Sequence, residues 1–460
     1  MRRLDLVCAV LLLGVAAPAS AAEKRRPNVI VIYTDDQGTI DANCFGAKDL
    51  ITPGIDGLAA QGVKFTQFYA AAPVCSPSRA GVLTGRYPRL AGVPGNVGGP
   101  PREDVLDLAE VTEARGLPSK QVTMAEMFAA AGYATAHVGK WHLGSGPGSR
   151  PLDQGFDFSF GHMGGCIDNY AHFFYWAGPN GHDLWRNNQR VHRDGRFFPD
   201  LMVEEARGFI KGHKDKPFFM YFAMNVPHYP YQGEAKWLKH YQHLAYPRKL
   251  YAAFMTTLDA RIGDLVKVVD EMGLRKNTII VFQSDHGHST EQRAHHGGGS
   301  AGPYRGAKFS LFEGGIRVPA VISWPGRLPS GASRGQLSHS CDWLPTLAEL
   351  CDVPLPKSEI DGRSLMGVIE SAKAPSPHDV VHWTIGNSWA VRAGPWKLIG
   401  NVRDTTESRK AKPLSKQDKQ RFLANLEKNA AETRNFAADH PEVVSRLEGL
   451  HRTWMQTAGK

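Results

Sequence analysis

Cysteine is scarce in this chain, with six residues among 460. Cys8 lies in an N-terminal apolar segment, and five thiols remain when that segment is set aside. These five are Cys44, Cys75, Cys166, Cys341 and Cys351. An odd number leaves at least one thiol unpaired. Cys341 and Cys351 lie in a predicted helix, where ten residues span about 15 Å, too far for a disulfide. The sequence is therefore not that of a disulfide scaffold.

Long apolar runs are absent after the first segment. That segment, MRRLDLVCAVLLLGVAAPASAA, has two basic residues, an apolar stretch at 6–17 and small residues at 19–21. This layout is typical of a secretory signal peptide, and its apolar stretch is shorter than a membrane-spanning helix. A short membrane anchor is the alternative. We expect residues 1–22 to be a signal peptide and the mature protein to be exported, periplasmic or extracellular, with no membrane span.

Runs of a single charge are also lacking. The formal charge of +9 is spread along the chain, which does not favour nucleic-acid binding. It suits an anionic substrate or surface, and a generally basic exterior explains it equally well. With 42% hydrophobic and 22% charged residues, the composition is that of a globular protein. About 435 residues after the signal peptide are enough for one large domain with a small companion, or two medium domains.

Short apolar runs alternate with helical patterns, which predicts an α/β domain with a largely parallel sheet. One run, KPFFMYFAMNVPHYP, is predicted as a strand that ends at His228. Polar side chains follow four predicted strands, and they are Asp35, Asp36, Lys140, His142, His228, Asp285 and His286. Loops are polar in general, so chance is the simplest alternative. In open parallel sheets, however, the active-site crevice lies along this edge.

Two helices are well marked in the sequence. Thr123 and Glu126 form a capping box, and that helix is predicted to stop at Gly132. A second, amphipathic helix is predicted to stop at Gly273. Its apolar face consists of Met255, Leu258, Ile262, Leu265, Val269 and Met272.

The pattern changes after about residue 370. Short strands surround a turn at Gly394 and Pro395, and a charged helical tail is predicted from Leu414 to the end. We therefore expect a large domain at 23–370 and a small α+β subdomain at 371–460.

Residues 75–86 read CSPSRAGVLTGR, and this stretch resembles the signature of the sulfatase family. The matching positions are Cys75, Pro77, Ser78, Arg79, Leu83, Thr84, Gly85 and Arg86. Other segments resemble the family in order along the chain: TDDQG, GYATAHVGKWHLG, the PH of NVPHYP, SDHG, YRGAKFSLFEGGIRVP, AVRAGPWKLI and ETRNFAADHPE. The resemblance implies a type I, arylsulfatase-like enzyme with the alkaline-phosphatase-like fold, and it makes 23–370 the catalytic domain.

The resemblance implies a modified nucleophile. In this family a maturation enzyme reads C-x-P-S-R and oxidises the cysteine, here Cys75, to formylglycine. The hydrated aldehyde attacks sulfur with one hydroxyl, and the second hydroxyl then expels sulfate and restores the aldehyde. A serine would be left as a stable sulfate ester, so the modification provides a built-in release step.

The resemblance also implies one divalent cation, usually calcium, bound by Asp35, Asp36, Asp285, His286 and the modified Cys75. Oxygen ligands suit a hard cation that polarises the sulfate and the attacking hydroxyl. The family often has Asn where this chain has His286, and imidazole is a less natural calcium ligand. The identity of the ion therefore stays open. A turn capped by the two adjacent aspartates is the alternative that needs no metal.

The remaining roles follow by position in the family motifs. Lys140 and Lys308 correspond to lysines that clamp the sulfate, and Arg79 to the arginine that orients the nucleophile. His142 would take the proton that triggers sulfate release, and His228 would bind sulfate or protonate the leaving oxygen. Pro77 is expected in the first turn of a helix, which places Cys75 near a helix N-terminus.

Other candidate sites are weaker. A zinc cluster of His286, His288, His295 and His296 is disfavoured, because adjacent histidines point apart and glycines nearby indicate a loop. Ser76 and Ser78 lack the G-x-S-x-G elbow of serine hydrolases. The aromatic segment 166–187 could line a sugar subsite or simply pack as a loop. The same alternatives apply to Trp383, Asn387 and Trp389.

The sequence thus predicts an exported, calcium-dependent sulfatase that acts on a sulfated small molecule or glycan, with a sulfated carbohydrate preferred. Phosphonate monoester or phosphodiester hydrolysis on the same fold is the enzymatic alternative. A protein that binds sulfated glycan without turnover is the alternative if Cys75 is unmodified.

Overall fold

The computed structural model describes residues 26–176, 180–407 and 413–457. The predicted signal peptide at 1–22 lies outside the described residues. Within these ranges, no helix combines the length and the apolar character needed to cross a bilayer.

Sixteen strands are found in the described residues. They are β1 (Asn28–Thr34), β2 (Gly62–Phe65), β3 (Phe68–Tyr69), β4 (Ala134–Lys140), β5 (Phe158–His162), β6 (Trp185–Arg186), β7 (Gln189–Arg190), β8 (Phe218–Ala223), β9 (Thr278–Ser284), β10 (Ala320–Ser323), β11 (Ala332–Arg334), β12 (Ser338–His339), β13 (Val380–Ile385), β14 (Ser388–Ala393), β15 (Trp396–Gly400) and β16 (Arg421–Asn425).

The α-helices of the described residues number eleven. They are α1 (Pro53–Ala60), α2 (Cys75–Thr84), α3 (Met124–Ala130), α4 (Phe198–Gly212), α5 (Ala235–His240), α6 (Arg248–Glu271), α7 (Glu313–Ile316), α8 (Trp343–Leu350), α9 (Met366–Glu370), α10 (Lys416–Gln420) and α11 (Pro441–Thr457).

Ten of the described strands form one large sheet in the order β11-β2-β10-β9-β1-β8-β4-β5-β6-β7. The five central strands, β9 to β5 in that order, pair in parallel. Antiparallel strands, β10 on one side and the β6–β7 pair on the other, extend the sheet. The predicted α/β class with a mostly parallel sheet is confirmed.

Helices cover both faces of the sheet because the strands alternate their side chains between two apolar layers. On β1, Val29, Val31 and Tyr33 belong to one layer with residues of α2, α3 and α8. Ile30 and Ile32 belong to the opposite layer, with residues of α1, α4 and α6. A strand that is apolar on both faces has to lie inside such a three-layer domain.

The C-terminal region contains an antiparallel sheet of four described strands in the order β13-β14-β15-β16. One face packs on the large domain through Trp383 and Phe422, and the other face packs against α11 through Leu398 and Leu447. A smaller α+β unit beside the large sheet agrees with the predicted architecture. The boundary at residue 370 stays a prediction.

Two local predictions are corrected by the structure. The tail after Leu414 is not helical throughout, because β16 completes the small sheet between α10 and α11. Its sequence, RFLAN, is short, and only pairing with β15 makes it a strand. Similarly, β8 ends at Ala223 rather than at His228. Pro227 has no N–H for a sheet hydrogen bond and restricts Val226, so the chain leaves the sheet before it.

Other local predictions are confirmed. The capping box of Thr123 and Glu126 is present, and Gly132 follows the helix with φ +83°. The amphipathic helix is α6, which is followed by Gly273 at φ +69°. The five cysteines of the described residues are all free thiols, as expected for a protein without a disulfide scaffold.

Candidate active site

The carboxyl ends of the central strands bring the predicted polar residues to one edge of the large sheet. Asp35 and Asp36 directly follow β1, Asp285 directly follows β9, and Lys140 is the last residue of β4. Because β1 pairs in parallel with β9, the backbone N–H of Asp36 reaches the Oδ1 of Asp285 at 3.1 Å. The sheet topology alone therefore assembles an acidic centre from distant parts of the chain.

Helix α2 places Cys75 over this edge. Cys75 is its first residue and Pro77 its third, so the predicted position at a helix N-terminus is confirmed. The helix is held down by Ser78, whose hydroxyl donates to the Asp285 carbonyl oxygen at 2.6 Å. Arg79, fully buried, donates to the carboxylate of Asp285 and to the carbonyl oxygen of Lys140, both at 3.2 Å.

Four side chains form a compact cluster that could hold a metal ion, and these four residues together with Asp36 are called the acidic cluster. Ligand atoms of Asp35, Cys75, Asp285 and His286 all lie within 4.8 Å of one another, and all four residues are buried. The His286 Nε2 lies 3.4 Å from the Cys75 Sγ and 3.4 Å from the Asp285 Oδ1. Asp36 approaches the same nitrogen at 3.5 Å. The five residues predicted as metal ligands are thus together in space.

The protonation preferences of the cluster fit a bound cation. Burial raises the pKa of Asp36 well above its usual value, although Lys308 opposes this. Burial also raises the pKa of Asp285 to about 7, with the Asp35 charge adding to the effect. Burial would lower the pKa of His286, but the charges of Asp285, Cys75 and Asp36 together outweigh burial, and the pKa rises to about 9. Carboxyl groups whose pKa is raised in this way ionise when a further positive charge is bound beside them, and a hard divalent cation is the partner that carboxylates prefer.

Two lysines face the cluster. The Nζ of Lys140 lies 2.6 Å from Asp35, and the Nζ of Lys308 lies 3.0 Å from Asp36. Burial would raise the pKa of Cys75, but the two lysines outweigh it and lower the pKa to about 6. The site therefore stabilises negative charge on the side chain of residue 75.

The two predicted histidines lie in the same pocket and are held by backbone carbonyls. Nε2 of His142 donates to the Val97 oxygen at 3.2 Å, which leaves Nδ1, buried and without a hydrogen-bond partner, as the basic nitrogen. Nδ1 of His228 donates to the Tyr229 oxygen at 2.7 Å, so its Nε2 is free for a ligand. Burial holds the pKa of both rings well below the usual value, and nearby lysines add to this. Both rings are therefore neutral near pH 7.

Left-handed backbone at non-glycine positions marks the same region. Asp36, His142 and Phe309 have φ values of 61°, 54° and 71°. Such conformations cost about 1–3 kcal/mol each and persist where the surrounding structure demands them, often at functional sites. The three residues directly follow Asp35, Trp141 and Lys308 in the chain.

A pocket of about 250 Å³ opens above these groups. Cys75, His142, His228 and Lys308 line its polar side. Its aromatic wall consists of Phe174, Trp176, Tyr229 and Phe309. Phe174 and Trp176 belong to the segment 166–187, so this part of the aromatic segment does face the site.

Sequence reasoning missed Glu291 and Asn96. Glu291 lines the pocket, accepts a hydrogen bond from the Tyr229 hydroxyl at 3.1 Å and lies 3.4 Å from the Lys308 Nζ. Asn96 accepts a hydrogen bond from the backbone N–H of Ser76 at 3.1 Å. Neither residue lies in a recognised motif, and no local pattern would have singled it out.

The remaining candidate residues from the sequence lie in three different kinds of environment. His295 and His296 are exposed, and no described ligand cluster includes them. Trp383 is a core residue whose indole N–H donates to the Ala70 oxygen, and Trp389 stacks on His451. Asn387 lines a neighbouring cavity of about 720 Å³, which shares residues 96 and 309 with the first pocket.

Comparisons with known proteins identify the family of this chain. The family model "Sulfatase" matches residues 27–353. Human arylsulfatase A is 34% identical, with 96% of this chain and 89% of that protein covered. The N-acetylgalactosamine-6-O-sulfatase of Bacteroides thetaiotaomicron is 30% identical, with 93% and 92% covered.

Solved structures show the same fold. The crystal structure of Ps i-CgsB in complex with k-i-k-neocarrahexaose superimposes with a TM-score of 0.79 at 26% identity, covering 94% of this chain and 93% of that one. The large, mostly parallel sheet and the small C-terminal sheet are thus parts of one known architecture. The chain belongs to the sulfatase family and is a sulfuric ester hydrolase.

Proposed function

We propose that this protein hydrolyses sulfate esters of carbohydrates and uses a formylglycine made from Cys75 as its nucleophile. The observation that carries the proposal is the environment of Cys75. Its side chain lines a pocket and belongs to the acidic cluster. Lys140 and Lys308 face it and together stabilise a negative charge at this position.

Two groups that the unmodified polypeptide does not contain would complete the site. A hydrated formylglycine at residue 75 would supply the nucleophile and the means of releasing sulfate, and a divalent ion, which we propose to be one calcium, would neutralise oxygen charge. Asp35, Asp36, Asp285 and His286 would hold the ion together with residue 75. We further propose that a maturation enzyme modifies Cys75.

The lysines and the arginine bind and orient in this proposal. Lys140 pairs with Asp35 and Lys308 pairs with Asp36. A sulfate bound between the two lysines would therefore have a positive charge on each side. Such fixed charges need no rearrangement as charge moves onto the leaving oxygen. Arg79 donates hydrogen bonds to the Asp285 carboxylate and to the Lys140 carbonyl oxygen at the end of β4. These bonds would hold the start of α2, and with it the side chain of residue 75, in a fixed position beside the acidic cluster.

The histidines move protons in this proposal. The free Nδ1 of His142 is suited to accept the proton whose loss releases sulfate. The free Nε2 of His228 lies 3.7 Å from Asp36 and faces the pocket. Because its ring is neutral in the free protein, His228 would donate a proton to the leaving oxygen only after an anionic substrate has raised its pKa.

A carbohydrate is the substrate class that the pocket supports best. Its volume of about 250 Å³ is slightly below the range of about 300–1,000 Å³ typical for drug-sized ligands, which suits one sugar ring. Aromatic side chains on one wall and polar groups on the other match the two kinds of surface on a sugar. The Bacteroides relative is named for a sulfated amino sugar, and the Ps i-CgsB structure is a complex with k-i-k-neocarrahexaose.

We also propose residues 23–370 as the catalytic domain and 371–460 as a small C-terminal subdomain. Together with the signal peptide at 1–22, this describes an exported protein of the periplasm or the extracellular space.

The first experiment is a mass measurement on the tryptic peptide that spans residues 65–79, from protein purified from its native host. The proposal expects one oxygen in place of the sulfur and two hydrogens of Cys75. Sulfate release from monosaccharide sulfates is then measured by ion chromatography. Cys166→Ala is the matched control for Cys75→Ala, because Cys166 lines the same pocket outside the motif.

The outcomes separate the alternatives. A modified Cys75 with sulfate release that Cys75→Ala abolishes and Cys166→Ala keeps supports the proposal. Faster cleavage of an aryl phosphodiester than of an aryl sulfate would instead favour the phosphodiesterase alternative. An intact thiol in native protein, with glycan bound but not turned over, would establish the binding-protein alternative and refute catalysis.

A further inference from the structure

A second cluster of side chains that can bind a metal is formed by two segments, the loop between β5 and β6 and the residues just after β7. It consists of His172, His182, His192 and Asp194, and we call it the histidine cluster. Ligand atoms of the last three lie within 4.8 Å of one another, and His172 approaches Asp194 at 4.0 Å. None of these residues belongs to the acidic cluster, and no step of the proposed hydrolysis uses them.

Hydrogen bonds fix the two inner imidazoles with their Nδ1 atoms toward Asp194. Nε2 of His172 lies 3.0 Å from the Arg196 carbonyl oxygen, and Nε2 of His182 lies 2.8 Å from that of Val191. A carbonyl oxygen can only accept, so in each ring Nε2 carries the hydrogen. In the neutral rings Nδ1 then has the lone pair, as in histidines that a backbone carbonyl orients for a metal.

The inner nitrogen is buried and unsatisfied. The His172 side chain has no exposed surface, and its Nδ1 has no hydrogen-bond partner. A buried lone pair that faces a carboxylate is repelled unless a positive charge lies between them.

The distances match a metal ion between the groups better than a direct hydrogen bond. The Asp194 Oδ1 lies 4.0 Å from Nδ1 of His172 and 3.8 Å from Nδ1 of His182. Direct hydrogen bonds span about 2.7–3.2 Å. Two ligands on one zinc ion, each at about 2.0–2.2 Å, are separated by about 3.3 Å in tetrahedral geometry and at most by about 4.3 Å.

We propose that His172, His182, His192 and Asp194 bind one Zn²⁺ ion outside the active site. Three imidazoles and one carboxylate suit zinc and disfavour calcium, which takes oxygen ligands. His192 and Asp194 are exposed, so their side chains can close the remaining gaps. The ring of His192 already lies 4.1 Å from that of His182.

The ion would brace one wall of the catalytic pocket. His172 pairs through its carbonyl oxygen with the backbone N–H of Asp183, and the next residue, Phe173, forms a bridge with His182. Phe174 and Trp176 follow directly and line the pocket. Zinc at the histidine cluster would therefore hold the base of the loop that carries these two aromatic side chains.

The test is a zinc titration in competition with a chromophoric chelator, with calcium in saturating excess. Cys75→Ala serves as the background, because an unmodified Cys75 in the acidic cluster could itself bind zinc. We expect one tightly bound equivalent of Zn²⁺. His192→Ala and Asp194→Ala should each weaken it by at least about 100-fold, since loss of an outer-sphere partner alone costs about 10- to 100-fold. Both residues are exposed, so these variants should fold.

His243→Ala is the matched control, because His243 is an exposed histidine remote from the cluster in sequence, and it should bind zinc like the parent. Co²⁺ in place of Zn²⁺ should give the visible absorption of a tetrahedral site in the parent and lose it in Asp194→Ala. Absence of a stoichiometric site, or zinc affinity unchanged by both cluster variants, would overturn the proposal. Neither result depends on whether Cys75 is modified or on catalytic activity.

Discussion

One buried lysine joins two buried glutamates where the small sheet meets the large domain. The Nζ of Lys397, on β15, lies 2.7 Å from Glu313 at the start of α7 and 2.8 Å from Glu432. All three side chains are fully buried. Glu313 also accepts a hydrogen bond from the Tyr69 hydroxyl at 2.6 Å and lies 3.3 Å from Arg317. We predict that neutralising the two glutamates has very different effects on stability.

The magnitudes follow from the surroundings of each carboxylate. Burial opposes ionisation of Glu313, but Lys397 and two arginines outweigh it and lower its pKa from 4.5 to about 2. At about 1.4 kcal/mol per pH unit, this is worth about 3 kcal/mol. Burial instead raises the pKa of Glu432 to about 7, with the Glu313 charge adding to the effect. Glu313→Gln should thus lose about 3 kcal/mol at pH 7.5, and Glu432→Gln less than about 1 kcal/mol, the value of an ordinary hydrogen bond.

The two residues also predict opposite pH dependences. The folded pKa of Glu313 is lowered, so its contribution is present above about pH 4.5 and is lost as pH falls toward 2. The folded pKa of Glu432 is raised, so its contribution is present below about pH 4.5 and is lost as pH rises through 7. Relative to the parent, Glu432→Gln should therefore become more stable between pH 5 and pH 8.

Urea unfolding at pH 5 and pH 8, followed by fluorescence, measures both effects. Glu427→Gln is the matched control, because Glu427 is exposed and its loss should change stability by no more than a few tenths of a kcal/mol. Equal losses for Glu313→Gln and Glu432→Gln at pH 8, or a larger loss for Glu432→Gln, would refute this assignment of charge within the triad.

Three further predictions concern the site and its scaffold. Lys308→Ala should lower kcat/KM for a sulfate ester by about 10²–10³-fold, because it removes a fixed charge beside Asp36. Lys267 is exposed, so the control variant Lys267→Ala should leave steady-state kinetics unchanged. Dialysis against a calcium chelator should lower both activity and Tm, because the buried carboxylates of the acidic cluster then repel one another. Added Ca²⁺ should restore both, and activity that persists without measurable metal would contradict the cation site. Thr123→Ala should cost about 1 kcal/mol in urea unfolding by removing the cap of α3, with kcat per folded molecule unchanged, whereas exposed Thr112→Ala should cost nothing measurable.

The parts of the site that follow strands could be predicted from the sequence. Asp35, Lys140 and Asp285 each stand at the end of an apolar run, and parallel pairing brings such ends to one edge. The position of Cys75 at a helix N-terminus could also be predicted, from the proline two residues later. In each case the information is local, because it depends on a few neighbouring residues.

The contacts that lie between elements could not be predicted in this way. Glu291 approaches Lys308 through the shape of a long loop, and Lys397 meets Glu313 only because the small sheet packs on α7. The strand β16 lies in a charged stretch that reads as helix, and its pairing with β15 decides its conformation. Such features depend on partners far away in the chain, and a single sequence does not show them.

Local sequence patterns are enough to establish the α/β class, the position of the nucleophile candidate and the types of side chain at the site, because hydrophobic periodicity and short motifs act over a few residues. The packed structure is needed to show that the three buried carboxylates share one centre and which lysine faces which carboxylate. It is also needed to show that three histidines and an aspartate between residues 172 and 194 converge. Distances between residues far apart in the chain arise only when the sheet and its loops pack, and the electrostatics of buried charges follow from those distances.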